Sequence, residues 1–240
     1  MQVSLEVLDV RIDVELPTSV DPRVKDQVEW AWQHCLARSG GLAARRVAWR
    51  GHDSATGMHL LSQDVTRAAI DARAGQAVML HAAAIANPDS GAALAVVGAS
   101  GAGKTTWVQA NGGNRRYISD EAVLITSDLQ IFGIPKPLSL GHYGIKEQVA
   151  PVEFGLSEAN GTEYLAGLWI LDRDDAATTL LEDVEILDAL PLLAQQASYL
   201  NALAQPLHQL AAVVSGSGGL RRARYREASD LSELVAESLA

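Results

Sequence analysis

The sequence predicts an α/β protein with a mixed β-sheet and a small α+β region at the N-terminus. Strand-like and helix-like periodicities follow one another along the 240 residues, and the composition, 48% hydrophobic and 20% charged, is that of an ordinary globular protein. In addition, the apolar run 92–97 passes directly into a glycine-rich loop and the start of a helix. We expect residues 1–76 to form the small region and residues 77–240 to form the main domain.

Periodicity and capping residues predict the individual elements. Apolar and polar residues alternate over 3–16, which indicates a strand with a break near Asp9. Helical spacing over 21–38 predicts a helix capped by Asp21, and a second helix is expected to begin at its cap Ser62. The same criteria predict strands at 45–50, 77–86, 92–97, 122–126, 131–134, 165–172 and 225–228, helices at 62–73, 185–204, 207–214 and 231–239, and loops at 51–57 and 138–164.

Residues 98–105 match the phosphate-binding pattern G-x-x-x-x-G-K-[ST]. The glycines allow backbone N–H groups to face a phosphate, and the following helix adds its positive N-terminal end. Lys104 is expected to reach the β- and γ-phosphates, and Thr105 to offer a hydroxyl to Mg²⁺. The pattern therefore predicts binding of ATP with Mg²⁺. The expected contact residues are Gly98, Ala99, Ser100, Gly101, Ala102, Gly103, Lys104, Thr105 and Thr106.

An acidic pair and one histidine are the other candidate site residues. Asp120 and Glu121 follow Lys104 by only 16 and 17 residues, so a short helix would bring them back toward the loop. One carboxylate would hold the metal and the other would accept a proton, whereas the alternative is a solvated bend between strands. His81 lies in an apolar strand beside the loop, where it is either a catalytic residue or a hydrogen-bonded core residue.

Further positive groups could stabilise a transferring phosphoryl group. Lys136 is held between two prolines and could be aimed inward, although an exposed turn lysine is the favoured interpretation. His142, Lys146 and Arg173 are weaker candidates. The run Arg221-Arg222-Ala223-Arg224 is expected to form a solvated edge, and the single Cys35 to pack in the core.

The loop at 98–106 and the stretch Arg115-Arg116-Tyr117-Ile118-Ser119-Asp120-Glu121, together with the preceding His81, resemble the HPr serine kinase/phosphorylases and their smaller relatives. A more distant similarity is to the ATP-dependent phosphoenolpyruvate carboxykinases. The match covers about residues 78–140. The resemblance implies that residues 77–240 form a mixed-sheet core of the kind found in HPr kinases and these carboxykinases.

The resemblance also implies roles for the matched residues. Lys104 and Thr105 would bind phosphate and Mg²⁺, Asp120 would join Thr105 at the metal, and His81 would be the active-site histidine. The second acid, Glu121 where the family has Asp, would accept the proton of the acceptor hydroxyl. That acceptor would be a serine of a peptide or small protein, and the oligomeric state of HPr kinases implies a homo-oligomer.

Net charge and hydropathy restrict the partners and the location. The formal net charge is −10 with dispersed acidic residues, which argues against binding of nucleic acid or membrane through bulk electrostatics. The N-terminus lacks the features of a signal peptide, so we expect a cytoplasmic protein. The sequence predicts a kinase, and it leaves open a nucleotide-binding regulatory module without chemistry or an ATPase that uses water as acceptor.

Overall fold

The computed structural model describes residues 1–38, 41–141, 144–176 and 178–240. The candidate His142 lies outside these residues. The helices are α1 (Pro22–Ala31), α2 (Ser54–Ala72), α3 (Lys104–Asn111), α4 (Ile186–Ala194), α5 (Pro206–Gly216) and α6 (Ser232–Ser238). The strands are β1 (Gln2–Val7), β2 (Val10–Glu15), β3 (Arg45–Ala48), β4 (Val78–Leu80), β5 (Ala82–Ala86), β6 (Ala92–Val97), β7 (Arg116–Ser119), β8 (Val123–Ile125), β9 (Ile131–Gly133), β10 (Leu138–Leu140), β11 (Glu147–Val149), β12 (Ser157–Glu158), β13 (Tyr164–Arg173), β14 (Leu180–Val184), β15 (Ala197–Ser198) and β16 (Leu220–Tyr225).

A mixed seven-stranded sheet is the centre of the fold, with the order β12-β7-β5-β6-β13-β16-β14. Alternate strand residues enter different cores: Ala84, Ala95 and Val97 pack with residues of α4 and α5, whereas Ile85 and Val96 pack with α3 and α6. The sheet therefore carries helices on both faces, which confirms the predicted α/β class. The described residues also form the sheets β1-β2-β3 and β15-β4-β8-β9 and the hairpin β10-β11.

Strand direction determines which residues meet at one edge of the central sheet. β5 runs antiparallel to both β6 and β7, so β6 and β7 run in the same direction. Their carboxyl ends and the start of β5 consequently lie at the same edge, which we call the loop edge. Residue 98 follows β6, Asp120 follows β7, and His81 precedes β5. The topology thus brings together three segments that are well separated in sequence.

The N-terminal region packs against the smaller four-stranded sheet. Its core residues, such as Ile12 and Val65, form one cluster with Met79 of β4 and Leu124 of β8, and Cys35 is buried in the same cluster as predicted. The predicted strand 3–16 is a β1-β2 hairpin, and its turn falls at the expected break, with Leu8 and Asp9 in the left-handed region.

The two N-terminal helices differ from their predicted bounds. The side chain of Asp21 caps α1 as expected, but the helix ends at Ala31 and only a short 3₁₀ turn follows. The prediction that Ser62 caps the second helix was wrong, because α2 begins at Ser54 and Asp53 accepts the capping hydrogen bond from Thr56 N. Ser62 is instead buried within the helix.

Other differences concern the strands around the site and the C-terminal part. The predicted strand 77–86 is interrupted at His81, which separates β4 and β5 in two different sheets. The long helix predicted over 185–204 ends at Ala194. The last strand is β16 rather than 225–228, and β14 was not predicted. No helix in the described ranges has both the length and the apolar character needed to cross a membrane.

Candidate functional site

The glycine-rich loop after β6 adopts a conformation that requires glycine at two positions. Gly101 and Gly103 have φ angles of 82° and 87°, in the left-handed region that other residues rarely adopt. Gly103 also precedes α3 directly, so the loop ends at the positive end of a helix. The Tyr225 hydroxyl, at the end of β16, donates to Ala102 O at 3.0 Å and supports the loop from a strand that β13 separates from β6.

Lys104 is buried beneath this loop. Its Nζ donates to Gly98 O at 2.7 Å and to Ala99 O at 3.3 Å. Burial lowers the pKa of Lys104, although Glu121 and Asp120 act in the opposite direction. Ala99 and the neighbouring Ser100, Gly101 and Thr106 are exposed, so the outer side of the loop is open to solvent while its lysine is held inside.

Asp120 connects the loop to the end of β7. Its Oδ2 accepts a hydrogen bond of 2.9 Å from Thr105 Oγ1, and its Oδ1 accepts one of 2.9 Å from the Tyr117 hydroxyl. Burial, reinforced by the Asp120 carboxylate, raises the pKa of Tyr117 well above its ordinary value, so the phenol keeps the proton that it donates. The role of Tyr117 was not predicted, because a buried aromatic residue carries no local signal of this contact.

Lys136 completes this buried group and corrects the interpretation of an exposed turn lysine. Its Nζ lies 3.3 Å from Asp120 Oδ1 and 3.6 Å from Glu121 Oε2, and its side chain is 2% exposed. Burial lowers the pKa of Lys136, but the two carboxylates outweigh burial and hold the pKa above its ordinary value. Lys136 is therefore a charged ammonium between both acids of the predicted pair.

Glu121 differs from Asp120 in its exposure. The Glu121 side chain is 40% exposed, whereas that of Asp120 is 2% exposed. The Ser119 hydroxyl accepts a hydrogen bond of 3.1 Å from Glu121 N, which fixes the backbone of the doublet at the end of β7. One acid of the pair is therefore locked into the protein interior, and the other faces outward from the loop edge.

His81 lies beside the same doublet. Its Nδ1 is 2.7 Å from Glu121 O and 3.9 Å from Glu121 Oε1. Burial first, and then the positive charge of Lys104, lowers the pKa of His81. Because Glu121 O is an acceptor, a neutral His81 protonated on Nδ1 satisfies this contact. The structure thus brings His81, Lys104, Thr105, Asp120, Glu121 and Lys136 into one group.

The remaining candidates are not all part of this group. Arg116 pairs with the buried Glu163 at 3.1 Å, and Arg115 donates to Asn111 O. Arg173 contacts Arg226 O and Glu227, and Lys146 lines a cleft that also includes Glu121. The predicted solvated edge at 221–224 lies within β16, where Arg221, Arg222 and Arg224 form ion pairs with Asp183, Asp172 and Glu182.

The donor atoms at the loop fit Mg²⁺ bound together with a phosphate. Among the described residues, no cluster of three or more histidine, cysteine, aspartate or glutamate side chains could hold a metal alone. Thr105 Oγ1 and Asp120 Oδ2 are hard oxygen donors 2.9 Å apart. Mg²⁺ commonly takes one or two protein oxygens and completes its shell with water and substrate phosphate. Thr105 and Asp120 are therefore the residues that would hold it.

Comparison of the chain with models of protein families and with curated proteins finds no match.

Proposed function

We propose that the protein is an ATP- and Mg²⁺-dependent phosphotransferase that transfers the γ-phosphoryl group to a hydroxyl. The observation that carries this proposal is the acidic pair: buried Asp120 is bonded to Thr105 of the loop, while adjacent Glu121 is 40% exposed beside it. The resemblance to HPr kinases supports the same activity. It also suggests a core of the HPr kinase type, with a serine hydroxyl as one acceptor.

The surroundings of the two acids suggest different roles. Asp120 is 2% exposed and contacts Thr105, Tyr117 and Lys136, which suits a carboxylate that helps to hold Mg²⁺ rather than one that meets an acceptor. Glu121 is reachable from solvent, so it is the carboxylate that accepts the proton of the acceptor hydroxyl. This assignment agrees with the order that the resemblance implies.

The transfer step can be written with this chain's residues. The acceptor oxygen forms a bond to the γ-phosphorus, the bond between that phosphorus and the β,γ-bridging oxygen breaks, and the hydroxyl proton passes to Glu121. ADP leaves with the electron pair of the broken bond. When bound, Mg²⁺ would neutralise part of the negative charge on the phosphates.

The neighbouring cations support this step. Lys104 moves its hydrogen bonds from the loop carbonyls to phosphate oxygens, and the backbone N–H groups before α3 bind the same phosphates. Lys136 holds both acids through its ammonium group and keeps Asp120 and Glu121 from repelling each other. His81 fixes the backbone carbonyl of Glu121.

Incubation of the full chain with γ-labelled ATP and Mg²⁺ tests the proposal. Candidate hydroxyl compounds, serine peptides and products of neighbouring genes are the acceptors. Label on a hydroxyl, lost in the Glu121→Gln variant, is the expected result. Label found only as free phosphate would identify an ATPase, and retention of intact ATP with every acceptor would favour a regulatory module.

A further inference from the structure

Glu121 lines a cleft of about 600 Å³, whereas the buried Asp120 is not part of its lining. One wall is a face of α2, along which His59, Gln63 and Arg67 are spaced four residues apart and so follow one side of the helix. The other wall includes Ser139 of β10 and Lys146, which precedes β11. The cleft therefore joins α2, Ser139 and Lys146 to the proposed proton acceptor.

The cleft contains two positive side chains that have no ion pair within the described part of the chain. Arg67 extends from α2, and Lys146 lies before β11. Asp71, another residue of this cleft, accepts a hydrogen bond of 2.7 Å from the Tyr199 hydroxyl, and Asp64 on the same helix is paired with Arg50. Arg67 and Lys146 balance the carboxylates of Asp71 and Glu121 in the lining, and they are the groups of this cleft that are available to pair with an anion.

An unsatisfied hydroxyl lies in the same wall. Thr66 lines the cleft, and its Oγ1 is buried without a hydrogen-bond partner among the described residues. Buried polar atoms are nearly always paired, because an unpaired one has lost its hydrogen bonds to water without replacement. Rotation about the single χ1 bond can turn this hydroxyl toward a ligand. The unpaired hydroxyl of Thr66 is thus a second feature of the same cleft that does not depend on the charges of Arg67 and Lys146.

We propose that this cleft binds the acceptor, and that the acceptor is a small hydroxylated acid. Its carboxylate or phosphate group pairs with Arg67 and Lys146, and its hydroxyl faces Glu121. The volume agrees with this class, because sites for small molecules commonly enclose roughly 300–1,000 Å³. The inference rests on the proposed function, since the cleft serves an acceptor only where Glu121 accepts a proton from it.

Three probes with one carbon skeleton test the requirement for an anion. Glycerol, glycerate and glycerol 3-phosphate are titrated into the full chain without ATP, and binding is measured by calorimetry. Glycerate and glycerol 3-phosphate should bind at least tenfold more tightly than glycerol. Which of the two binds more tightly distinguishes a carboxylate ligand from a phosphate ligand.

Variants locate the binding site of these probes. Arg67→Ser and Lys146→Ser should each weaken binding of the tighter anion about tenfold, and Thr66→Val should weaken it several-fold. Arg45→Ser is the matched control, because Arg45 is an exposed residue of β3 outside the cleft and its loss should change nothing. Anions that bind no better than glycerol, or equal binding to the Arg67, Lys146 and Arg45 variants, would overturn the inference.

Two further readouts separate this inference from the proposed function. ATP binding is measured on the same variants, and their affinity for ATP should equal that of the wild type. A wild-type protein that fails to bind ATP would contradict the proposed function, whereas the anion titration, which contains no ATP, would still test the inference. A seven-residue serine peptide with γ-labelled ATP tests the macromolecular alternative. Label transfer to that peptide that glycerate and glycerol 3-phosphate do not inhibit would also overturn the inference.

Discussion

The ammonium of Lys136 lies 3.3 Å from Asp120 Oδ1, and both side chains are 2% exposed. Loss of one partner of a buried ion pair leaves the other charge uncompensated, at a cost of about 3–5 kcal/mol. We therefore predict that Lys136→Met lowers the free energy of unfolding by about that amount. Urea unfolding at neutral pH measures the change.

A double variant serves as the control for this pair. Asp120→Asn combined with Lys136→Met removes both charges, so it should be less destabilised than the sum of the two single variants. Additive effects of the two substitutions would show that the ion pair contributes nothing to stability and would contradict the described environment of Lys136.

Thr105 and Thr106 are adjacent but differ in their contacts. Thr105 Oγ1 donates to Asp120, whereas Thr106 is exposed. Thr105→Val keeps the shape of the side chain and removes the oxygen that we propose as an Mg²⁺ ligand, so it should raise the Mg²⁺ concentration needed for ATP binding by on the order of tenfold. Thr106→Val should leave it unchanged. The same Mg²⁺ dependence in both variants would exclude Thr105 as a metal ligand.

Gly103 has a left-handed backbone conformation that a residue with a side chain would strain. It has a φ of 87°, and a Cβ added there would lie 3.2 Å from the Tyr225 hydroxyl. Gly103→Ala should cost about 1–2 kcal/mol of stability through left-handed strain and should weaken ATP binding by distorting the loop. Gly113, after α3, has open space around its added Cβ and no positive φ. If Gly113→Ala weakens ATP binding as much, the loop is not the phosphate site.

His81 gives the protein a predicted pH dependence. Burial and Lys104 hold the pKa of His81 below its ordinary 6.5, so between that lowered pKa and 6.5 the unfolded chain binds more protons than the folded one. The contribution of His81 is complete above pH 6.5 and decreases as the pH falls through this interval. Urea midpoints of the wild type should therefore decrease more between pH 7.5 and 5.5 than those of His81→Asn. Parallel decreases would contradict a lowered pKa.

The parts of the site that could be predicted are those that depend on local sequence. The strand, loop and helix around Lys104 follow one another within a short segment, so the local pattern specifies the loop. The closeness of Asp120 to the loop could be expected, because the helix between them, α3, is short. The burial of Lys136 could not be predicted, because the end of β7 and the loop after β9 meet only in the folded chain.

The missed strands have a physical explanation as well. β16 carries Arg221, Arg222 and Arg224 in a stretch that lacks a continuous apolar pattern. These arginines are accommodated because their ion-pair partners come from β13 and β14, next to β16 in the sheet. Such cross-strand pairing is tertiary information, and a local periodicity criterion interprets the segment as a solvated edge.

Equilibrium binding of Mg²⁺·ATP to three proteins tests the central claim most directly. The wild type should bind, Lys104→Met should lose most of its affinity because phosphate contacts are removed, and Glu121→Gln should bind nearly as well as the wild type while it abolishes transfer. Calorimetric titration of the full chain measures all three affinities. Absence of binding to the wild type, or an equal loss of affinity in both variants, would contradict the account.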